Sequence, residues 1–469
     1  MKMNCSTTHF IGIGGSGMSG IAKILLQKGY RVSGSDLRKS SFTDGLVKLG
    51  AKVTIGHSRE NIGPEVGLVV VSTAIPKSNP ELLEAESRGV EIISRGKMLA
   101  RLMEDYKGIT VAGAHGKTTT TSMIAQCLEI NNYDPTIIIG GELNDIGSNA
   151  KLGGGQYFVT EADESDGSFL KLHPHMAVVS NVENDHLDFY GTMENITAAF
   201  EKHIHSVIPN GCAILCMDDP FLREMANSGL NGIITYGFHP SADYNLRIRD
   251  IEGFSSICEV SHGKKRLGLM ELKVPGKHNM VNALASIAVC HQMGIDFEGI
   301  AHALSLYTGV RRRFQVVGDV HNTFIIDDYA HHPTEIMAAL NAARQVEPRR
   351  VIAVFQPHRY TRTKFLHREF GRAFGDADMV IINDIYGAGE KPMEGVSSEI
   401  IVESIKSNSN KNVLLISQQT DTVKYLKKCM ESGDLVITLG AGDVWKIGQK
   451  LLKGTWDDEC SQEVPVGEG

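Results

Sequence analysis

The chain has 469 residues, which excludes a single small module and predicts about three domains. Apolar residues make up 42% of the sequence and charged residues 22%, which is typical of a globular protein and excludes a disordered or fibrous chain. The formal net charge is −8 and the sequence contains no dense basic block, so we do not expect nucleic acid as a partner.

The N-terminal residues and the apolar stretches predict a cytoplasmic protein that does not contact a membrane. Residues 1–10 contain one lysine and no apolar run, so they lack the hydrophobic segment of a signal peptide. The longest apolar stretches, around residues 69–71 and 137–139, are far shorter than the roughly 20 residues that a membrane helix needs. The eight cysteines show no paired spacing, which fits reduced thiols.

The first predicted strand covers residues 9–13, and it runs into a glycine-rich turn. Glycines at 12, 14, 15 and 17 run into a helical pattern, and together they allow a diphosphate to approach the free N–H groups of a helix N-terminus. Asp36 ends the next predicted strand at the distance where an acidic residue binds a ribose hydroxyl. Taken alone the pattern fits NAD, but any nucleotide with a diphosphate and a ribose satisfies the same chemistry, so the ligand stays open.

Three further predicted strands, at residues 53–57, 68–74 and 90–94, complete a doubly wound parallel sheet that ends at residue 107. Ser72 and Thr73 lie where one of these strands ends, on the edge at which open α/β sheets bind ligands. An ordinary strand-to-loop turn is the alternative explanation for these small polar residues.

A second glycine loop predicts a nucleoside triphosphate site. A strand beginning at Gly108 runs into the sequence Gly-Ala-His-Gly-Lys-Thr at 113–118, and a helix follows. The loop N–H groups can hold phosphate, Lys117 can reach the β- and γ-phosphates, and the Thr118 hydroxyl can bind Mg²⁺. The longer form of this motif needs a glycine where the chain has Val111, so the loop is the shorter variety.

Two acidic clusters follow predicted strands in the same segment, Glu-Ala-Asp-Glu-Ser-Asp at 161–166 and Glu-Asn-Asp-His-Leu-Asp at 183–188. Oxygen ligands at strand ends suit Mg²⁺ bound together with phosphates, and a neutral imidazole can join them. A single carboxylate would be a solvated loop residue by default, but two clusters after two strands favour a metal site.

The chain ends with a second doubly wound pattern, whose strands are predicted at residues 323–327, 351–355, 379–383, 413–416 and 435–439. Arg359 and Arg362 follow one of these strands, and guanidinium groups bind carboxylates bidentately. From the residues alone, solvated arginines are the alternative. We predict domains at 1–107 (Rossmann-like), 108–314 (a mixed sheet like that of P-loop ATPases) and 315–469 (Rossmann-like).

Seven motifs in order along almost the whole chain resemble those of the Mur ligase family, the ATP-dependent amide-forming enzymes of peptidoglycan precursor synthesis. They are Ala-Gly-Ala-His-Gly-Lys-Thr-Thr-Thr at 112–120, the acidic motif at 161–166, Asn-Asp-His-Leu-Asp at 184–188, Pro-Gly-Lys-His-Asn-Met-Val-Asn at 275–282, Arg-Arg-Arg-Phe at 311–314, Asp-Asp-Tyr-Ala-His-His-Pro at 327–333 and Phe-Gln-Pro-His-Arg-Tyr-Thr-Arg-Thr at 355–363. Within the family, the first glycine loop and the acidic motif favour an alanine-adding member over the murein tripeptide ligase.

The resemblance implies roles for individual residues. UDP replaces the dinucleotide in the first glycine loop, and the expected contacts are Gly14, Gly15, Ser16, Gly17 and Met18, together with Asp36, Ser72 and Thr73. ATP is expected to contact Gly113, His115, Gly116, Lys117, Thr118, Thr119, Asn279, Asn282, Arg313 and Asp328. The expected Mg²⁺ ligands are Thr118, Glu161 and His186, and the residues expected near the chemistry are Lys117, Glu161, His186, His331, Arg359 and Arg362. Asn279 and Asn282 lie three apart, so they share one face of a predicted helix. Capping of that helix by His278 or Asn279 is the alternative role.

The activity implied by the resemblance is an ATP-dependent ligation. L-Alanine is joined to the lactyl carboxylate of UDP-N-acetylmuramate through an acyl phosphate, giving ADP and phosphate, with Mg²⁺ as the metal. We expect a monomer or a weak homodimer. A murein tripeptide ligase on the same UDP-sugar, an NAD-dependent oxidoreductase and a nucleotide-binding regulator without turnover are the alternatives.

Overall fold

The computed structural model describes residues 6–143 and 148–453, and the predicted acidic tail from Trp456 lies outside them. The chain divides into two compact units, Met1–Arg311 and Arg312–Gly469, which are called the first and second unit below. No helix within the described ranges combines the length and the apolar character needed to cross a membrane.

The first unit begins with a parallel sheet in the strand order β3-β2-β1-β4-β5, flanked by helices. Helices cover both faces of this sheet, and Phe10, Ile11, Val69 and Val70 are fully buried. The elements are β1 (Thr7–Ile11), α1 (Ser16–Gln27), β2 (Val32–Asp36), α2 (Ser41–Lys48), β3 (Lys52–Ile55), β4 (Val66–Val71), α3 (Pro80–Ser87), β5 (Glu91–Ser94) and α4 (Arg95–Met103), with a 3₁₀ turn at Arg59–Asn61.

A larger mixed sheet follows in the same unit, with the order β15-β14-β13-β12-β11-β10-β6-β9-β7-β8. The strands are β6 (Lys107–Ala112), β7 (Thr136–Leu143), β8 (Ser148–Lys151), β9 (Tyr157–Glu161), β10 (Met176–Val179), β11 (Cys212–Cys216), β12 (Ile233–Gly237), β13 (Tyr244–Glu252), β14 (Ser255–His262) and β15 (Lys265–Leu272). The helices are α5 (Lys117–Ile130), α6 (Leu187–Tyr190), α7 (Met193–His205), α8 (Pro220–Ala226), α9 (Lys277–Gln292) and α10 (Phe297–Ser305), with a 3₁₀ turn at Ser168–Lys171. In sheet order, β9, β6, β10, β11 and β12 pair parallel to one another. Strand β14 pairs antiparallel with both β13 and β15, to which tight turns connect it.

The second unit contains a sheet in the order β16-β17-β21-β18-β19-β20. Five strands are parallel, and β16 lies antiparallel at the edge. The elements are β16 (Gln315–Val320), β17 (Thr323–Asp328), α11 (Pro333–Gln345), β18 (Val351–Phe355), α12 (Tyr360–Phe370), β19 (Met379–Ile382), α13 (Ser398–Asn408), β20 (Val413–Leu415), α14 (Gln419–Cys429), β21 (Leu435–Leu439) and α15 (Trp445–Lys453).

The predicted α/β class, with Rossmann-like sheets at both ends and a mixed sheet between them, is confirmed. The predicted domain boundaries at 107 and 314 stay a prediction. Helix α1 lies against the second sheet, where Asn149 Nδ2 donates to the Ser16 carbonyl at 2.7 Å, so the first two sheets share one unit. Phe314 is held within the second unit by the hydrogen bond from its N–H to Asp328 Oδ2 at 2.7 Å.

Candidate active site

The first glycine loop joins β1 to α1 and forms hydrogen bonds with residues of β2. Gly15 is the N-cap residue of α1, so the first-turn N–H groups of this helix open toward the carboxyl edge of the sheet. Gly12 adopts a φ of +83°, which favours glycine, and its N–H donates to the Ser35 carbonyl at 2.8 Å. The Asp36 carboxylate accepts a hydrogen bond from the Gly14 N–H at 2.9 Å, so Asp36 also closes the loop to which we assign a ligand.

A buried carboxylate under this loop was not predicted from the sequence. Glu81, fully buried at the start of α3, accepts a hydrogen bond from the Ser35 hydroxyl at 2.5 Å. His9 Nε2 lies 3.5 Å from the same carboxylate. Burial would raise the pKa of Glu81, but His9, Asn61 and Ser35 outweigh it and lower the pKa to about 2. The ionised Glu81 carboxylate therefore holds Ser35, whose carbonyl accepts the hydrogen bond from Gly12 of the loop.

Ser72 and Thr73 differ in what they contact. The Ser72 hydroxyl accepts a hydrogen bond from the Ala74 N–H at 3.3 Å, which is the ordinary turn weighed as the alternative. Thr73 reaches the acidic motif, because its hydroxyl donates to Asp166 Oδ2 at 3.2 Å. The assignment of both residues to the UDP site stays a prediction.

The second glycine loop lies between β6 and α5 and is built around Lys117. Gly116 is the N-cap residue of α5, with a φ of +84°, and a Cβ there would come within 2.7 Å of Asn282 Oδ1. Asn181, at the end of β10, fixes the loop from outside: its Oδ1 accepts from the His115 N–H at 2.9 Å and its Nδ2 donates to the His115 carbonyl at 3.0 Å.

Three acceptors hold the Lys117 ammonium. Nζ donates to the carbonyls of Gly113 at 2.5 Å and Ala114 at 3.2 Å, and to Glu164 Oε1 at 2.7 Å. Burial would lower the pKa of Lys117, but the charge and hydrogen bond of Glu164 outweigh it and raise the pKa above its ordinary value. The loop thus keeps a cation where phosphates are expected.

Glu164 is a site residue that the sequence analysis missed. It is 3% exposed, and its Oε2 has no hydrogen-bond partner among the described residues. The hydroxyl of Tyr190 donates to the backbone carbonyl of Glu164 at 2.6 Å. The acidic motif was the available signal, but nothing in the sequence separates Glu164 from the neighbouring Asp163 and Asp166.

The predicted Mg²⁺ ligands lie around this lysine. Glu161 ends β9, and its Oε1 accepts from the Gly140 N–H at 2.8 Å. Thr118 is buried in the first turn of α5. His186 Nε2 lies 3.6 Å from Glu164 Oε1, and although burial lowers the pKa of His186, the carboxylates of Glu164 and Asp185 raise it overall. A hydroxyl, carboxylates and an imidazole, with a buried unpaired carboxylate oxygen, fit a divalent cation.

Asn279 and Asn282 connect α9 with α5. The Thr120 hydroxyl donates to Asn282 Oδ1 at 3.1 Å, and the amide nitrogen of Asn279 donates to the Pro275 carbonyl at 2.7 Å. The alternative capping role of Asn279 is wrong, because the N-cap residue of α9 is Gly276. Both amides are buried beside the Lys117 loop.

In the second unit, Asp328 is occupied by its own loop. Its two oxygens accept hydrogen bonds from the N–H groups of Phe314 and Ala330, each at 2.7 Å. Burial raises the pKa of Asp328 to about 6. The guanidinium of Arg313 stacks over the Tyr329 ring at 5.3 Å from its centroid and lies 3.5 Å from Glu335 Oε1. The predicted ATP contacts of Asp328 and Arg313 stay predictions.

The predicted amino-acid subsite contains neutral imidazoles next to guanidinium groups. Arg362 Nη1 lies 3.5 Å from His358 Nδ1, and His358 stacks on Tyr386. Burial lowers the pKa of His358 to about 3 and that of His331 to about 4, so both rings are uncharged at neutral pH. Arg359 is the N-cap residue of α12 and has a φ of +72°, which is strained for a residue with a side chain. The positive charge of this cluster therefore comes from arginines.

Three family models match the chain, described as "Mur ligase family, catalytic domain" at residues 7–107, "Mur ligase middle domain" at 111–290 and "Mur ligase, glutamate ligase domain" at 312–442. The chain belongs to the Mur ligase family. A UDP-N-acetylmuramate–L-alanine ligase of Desulforamulus reducens is 52% identical over 447 residues, which cover 95% of this chain and 97% of that protein.

Solved structures of Mur ligases share the fold. The UDP-N-acetylmuramate–alanine ligase of Thermotoga maritima aligns with a TM-score of 0.80 and 30% identity, covering 95% of this chain and 98% of that chain. A murein peptide ligase of Psychrobacter arcticus aligns with a TM-score of 0.70 and 25% identity over the same shares. The predicted family is confirmed, whereas the roles of individual residues stay predictions.

Proposed function

We propose that this Mur ligase is a cytoplasmic, ATP-dependent enzyme that joins L-alanine to the lactyl carboxylate of UDP-N-acetylmuramate. The observation that carries the proposal is the Lys117 loop, in which a mostly buried ammonium is held for phosphate, in the same unit as the first glycine loop, which suits a diphosphate. The name of the Desulforamulus relative supports the choice of substrates, and membership of the family supports ATP. We also assign Mg²⁺, in keeping with the donor set around Lys117.

The proposed reaction overcomes the low reactivity of a carboxylate. ATP phosphorylates the lactyl carboxylate to an acyl phosphate, and the amine of L-alanine displaces phosphate to form the amide. Bound Mg²⁺ supplies positive charge to the phosphoryl oxygens. Lys117 supplies charge at the same place, and its three fixed acceptors orient it before the nucleotide arrives.

The remaining assignments follow from the resemblance to the family, and the chemistry of the residues fits them. Gly14, Gly15, Ser16, Gly17 and Met18 form the diphosphate loop, while Asn282 and Thr120 fix the loop that binds ATP. In the second unit, Arg359 and Arg362 bind the carboxylate of L-alanine. The ring of His331 is neutral and adds no charge to this subsite. Glu161, His186 and Thr118 are the proposed metal ligands.

The three alternatives differ in the ligands and residues that they require. A murein tripeptide ligase would accept a tripeptide in place of alanine, and the Psychrobacter murein peptide ligase is the less similar of the two solved structures described above. An NAD-dependent oxidoreductase leaves the Lys117 loop without a role. A nucleotide-binding regulator without turnover would use that loop but leaves the acidic clusters at 161–166 and 183–188 without one.

The test is release of phosphate from ATP in the presence of UDP-N-acetylmuramate and a second substrate. We expect release with L-alanine, together with formation of the alanyl amide, and no NADH binding. Release with the tripeptide alone would favour the murein peptide ligase, and absence of release with either substrate would contradict the proposal. The double variant Lys117→Met/Glu164→Gln, which removes the ammonium without leaving an unpaired buried carboxylate, serves as the inactive control.

A further inference from the structure

Arg95 is fixed at one end by the acidic motif. It is the first residue of α4, and its Nη2 donates to Asp163 Oδ2 at 2.8 Å and to Ser168 Oγ at 3.3 Å. The same nitrogen lies 3.6 Å from Asp166 Oδ2, and the side chain is 18% exposed. Two carboxylates and a hydroxyl therefore hold one nitrogen of a mostly buried guanidinium group.

The other terminal nitrogen of Arg95 lies beside the first glycine loop. A Cβ added at Gly17 would lie 3.1 Å from Nη1 and 3.3 Å from Cδ of Arg95, closer than nearly all Cβ contacts in proteins. A Cβ at Gly15 would meet only ordinary contacts, the nearest at 3.6 Å. Arg95 therefore packs closely against Gly17, a contact that the sequence pattern did not reveal.

The position of Nη1 decides what Arg95 can do. Gly17 is the second residue of α1, and the N–H groups of that first turn have no partner within the helix. These N–H groups and the helix dipole attract an anion to the same place. A guanidinium group is planar, so fixing Nη2 on Asp163 also fixes the direction in which Nη1 donates.

We propose that Arg95 binds the diphosphate of the UDP-sugar, with Asp163 and Asp166 as the carboxylates that position it. The proposal rests on the proposed function, because it requires UDP in the first glycine loop. It also separates the acidic motif into two parts: Asp163 and Asp166 serve the UDP-sugar, whereas Glu161 and Glu164 serve the ATP loop.

Isothermal titration of UDP and NMR titration of uridine, which lacks phosphate, test the proposal on the full-length protein. For Arg95→Gln we expect the Kd of UDP to rise about 10- to 100-fold, the effect of losing one charge-assisted hydrogen bond. The affinities for uridine and for ATP should stay unchanged. Arg101→Gln is the matched control on the same helix, because that guanidinium pairs with Glu91 on the surface.

Each outcome bears on one hypothesis. An unchanged Kd for UDP, or an equal loss of uridine and UDP affinity, would overturn the role of Arg95. Arg95→Lys keeps the positive charge, so we expect its affinity ratio of UDP to uridine to stay closer to the wild-type ratio than that of Arg95→Gln. If Arg95→Gln does not fold, the lysine variant decides the question. The proposal is then overturned if its affinity ratio equals the wild-type ratio and does not change with salt concentration. Absence of UDP binding to the wild-type protein would instead contradict the proposed function.

Discussion

Replacing Lys117 by methionine should destabilise the protein as well as inactivate it. The variant removes the ammonium group that pairs with the Glu164 carboxylate, which is 3% exposed, and leaves the imidazole of His186 at 3.6 Å from Oε1. The second oxygen, Oε2, already has no hydrogen-bond partner among the described residues. Removing one partner of a buried ion pair costs about 3–5 kcal/mol. A loss of activity in Lys117→Met or Lys117→Ala alone would therefore mix a folding defect with a catalytic one.

The double variant Lys117→Met/Glu164→Gln separates these effects. It removes the unpaired buried charge, so we expect it to regain most of the free energy of unfolding that the single variant loses. Activity should not return, because the charge that Lys117 supplies to the phosphates is still absent. Loss of one such group lowers kcat about 10²- to 10³-fold.

Native-state hydrogen exchange followed by mass spectrometry measures the opening of α5 and β9 without assuming that the whole chain unfolds in one step. Lys202→Met, at an exposed lysine of α7, is the matched control and should change neither quantity. The reasoning is refuted if the single variant exchanges as slowly as the wild type, if the double variant is no more stable than the single one, or if it recovers turnover.

Three further predictions concern the other loops. Gly17→Ala should weaken UDP binding in calorimetry while leaving ATP binding unchanged, because the added methyl group lies 3.1 Å from Arg95 Nη1 and displaces the guanidinium group from its position beside the first glycine loop; equal losses for both nucleotides would contradict this. Arg362→Ala should raise the KM for L-alanine about 10- to 100-fold, while positional isotope exchange in ATP with UDP-N-acetylmuramate alone persists; a lost exchange with an unchanged KM would be the opposite result. Glu81 has a pKa lowered to about 2 from 4.5, so its stabilisation is present above pH 4.5 and is lost as the pH falls toward 2. Wild-type β1 should then lose up to about 3 kcal/mol of protection against exchange relative to Glu81→Gln over that interval, and parallel pH profiles would refute the role of Glu81.

The sequence predicted the parts of the fold whose patterns are local. Buried parallel strands are apolar runs that end in glycine turns, and for this reason the strand at Leu435–Leu439 was predicted at its observed bounds. The hairpins β13 to β15 were missed because they are partly exposed and carry charges. Glu259 on β14 pairs with Arg249 and Arg266 of the neighbouring strands, both at 2.7 Å, and such pairing is visible only after the strands have been aligned.

The candidate site was predicted only where a residue type has one chemical use in its motif. Lys117 could be chosen because a lysine in a glycine loop before a helix points to phosphate. Glu164 could not be separated from its acidic neighbours, since burial and pairing distinguish them and the sequence shows neither. Arg95 belongs to no glycine loop or acidic cluster, and its importance comes from contacts with Asp163 and Gly17, which are distant in the sequence.

The acidic motif contacts residues beside both glycine loops of the first unit. Glu164 turns toward Lys117, whereas Asp163 turns toward Arg95 and Asp166 accepts from Thr73. Neighbouring residues just beyond the end of β9 thus bind groups from different sheets. Since the segment is only a few residues long, a shift of Arg95 toward a bound diphosphate would be transmitted through Asp163 to the carboxylate that holds Lys117. Adjacent residues of the motif thus form ion pairs with the guanidinium group beside the first glycine loop and with the ammonium group of the second.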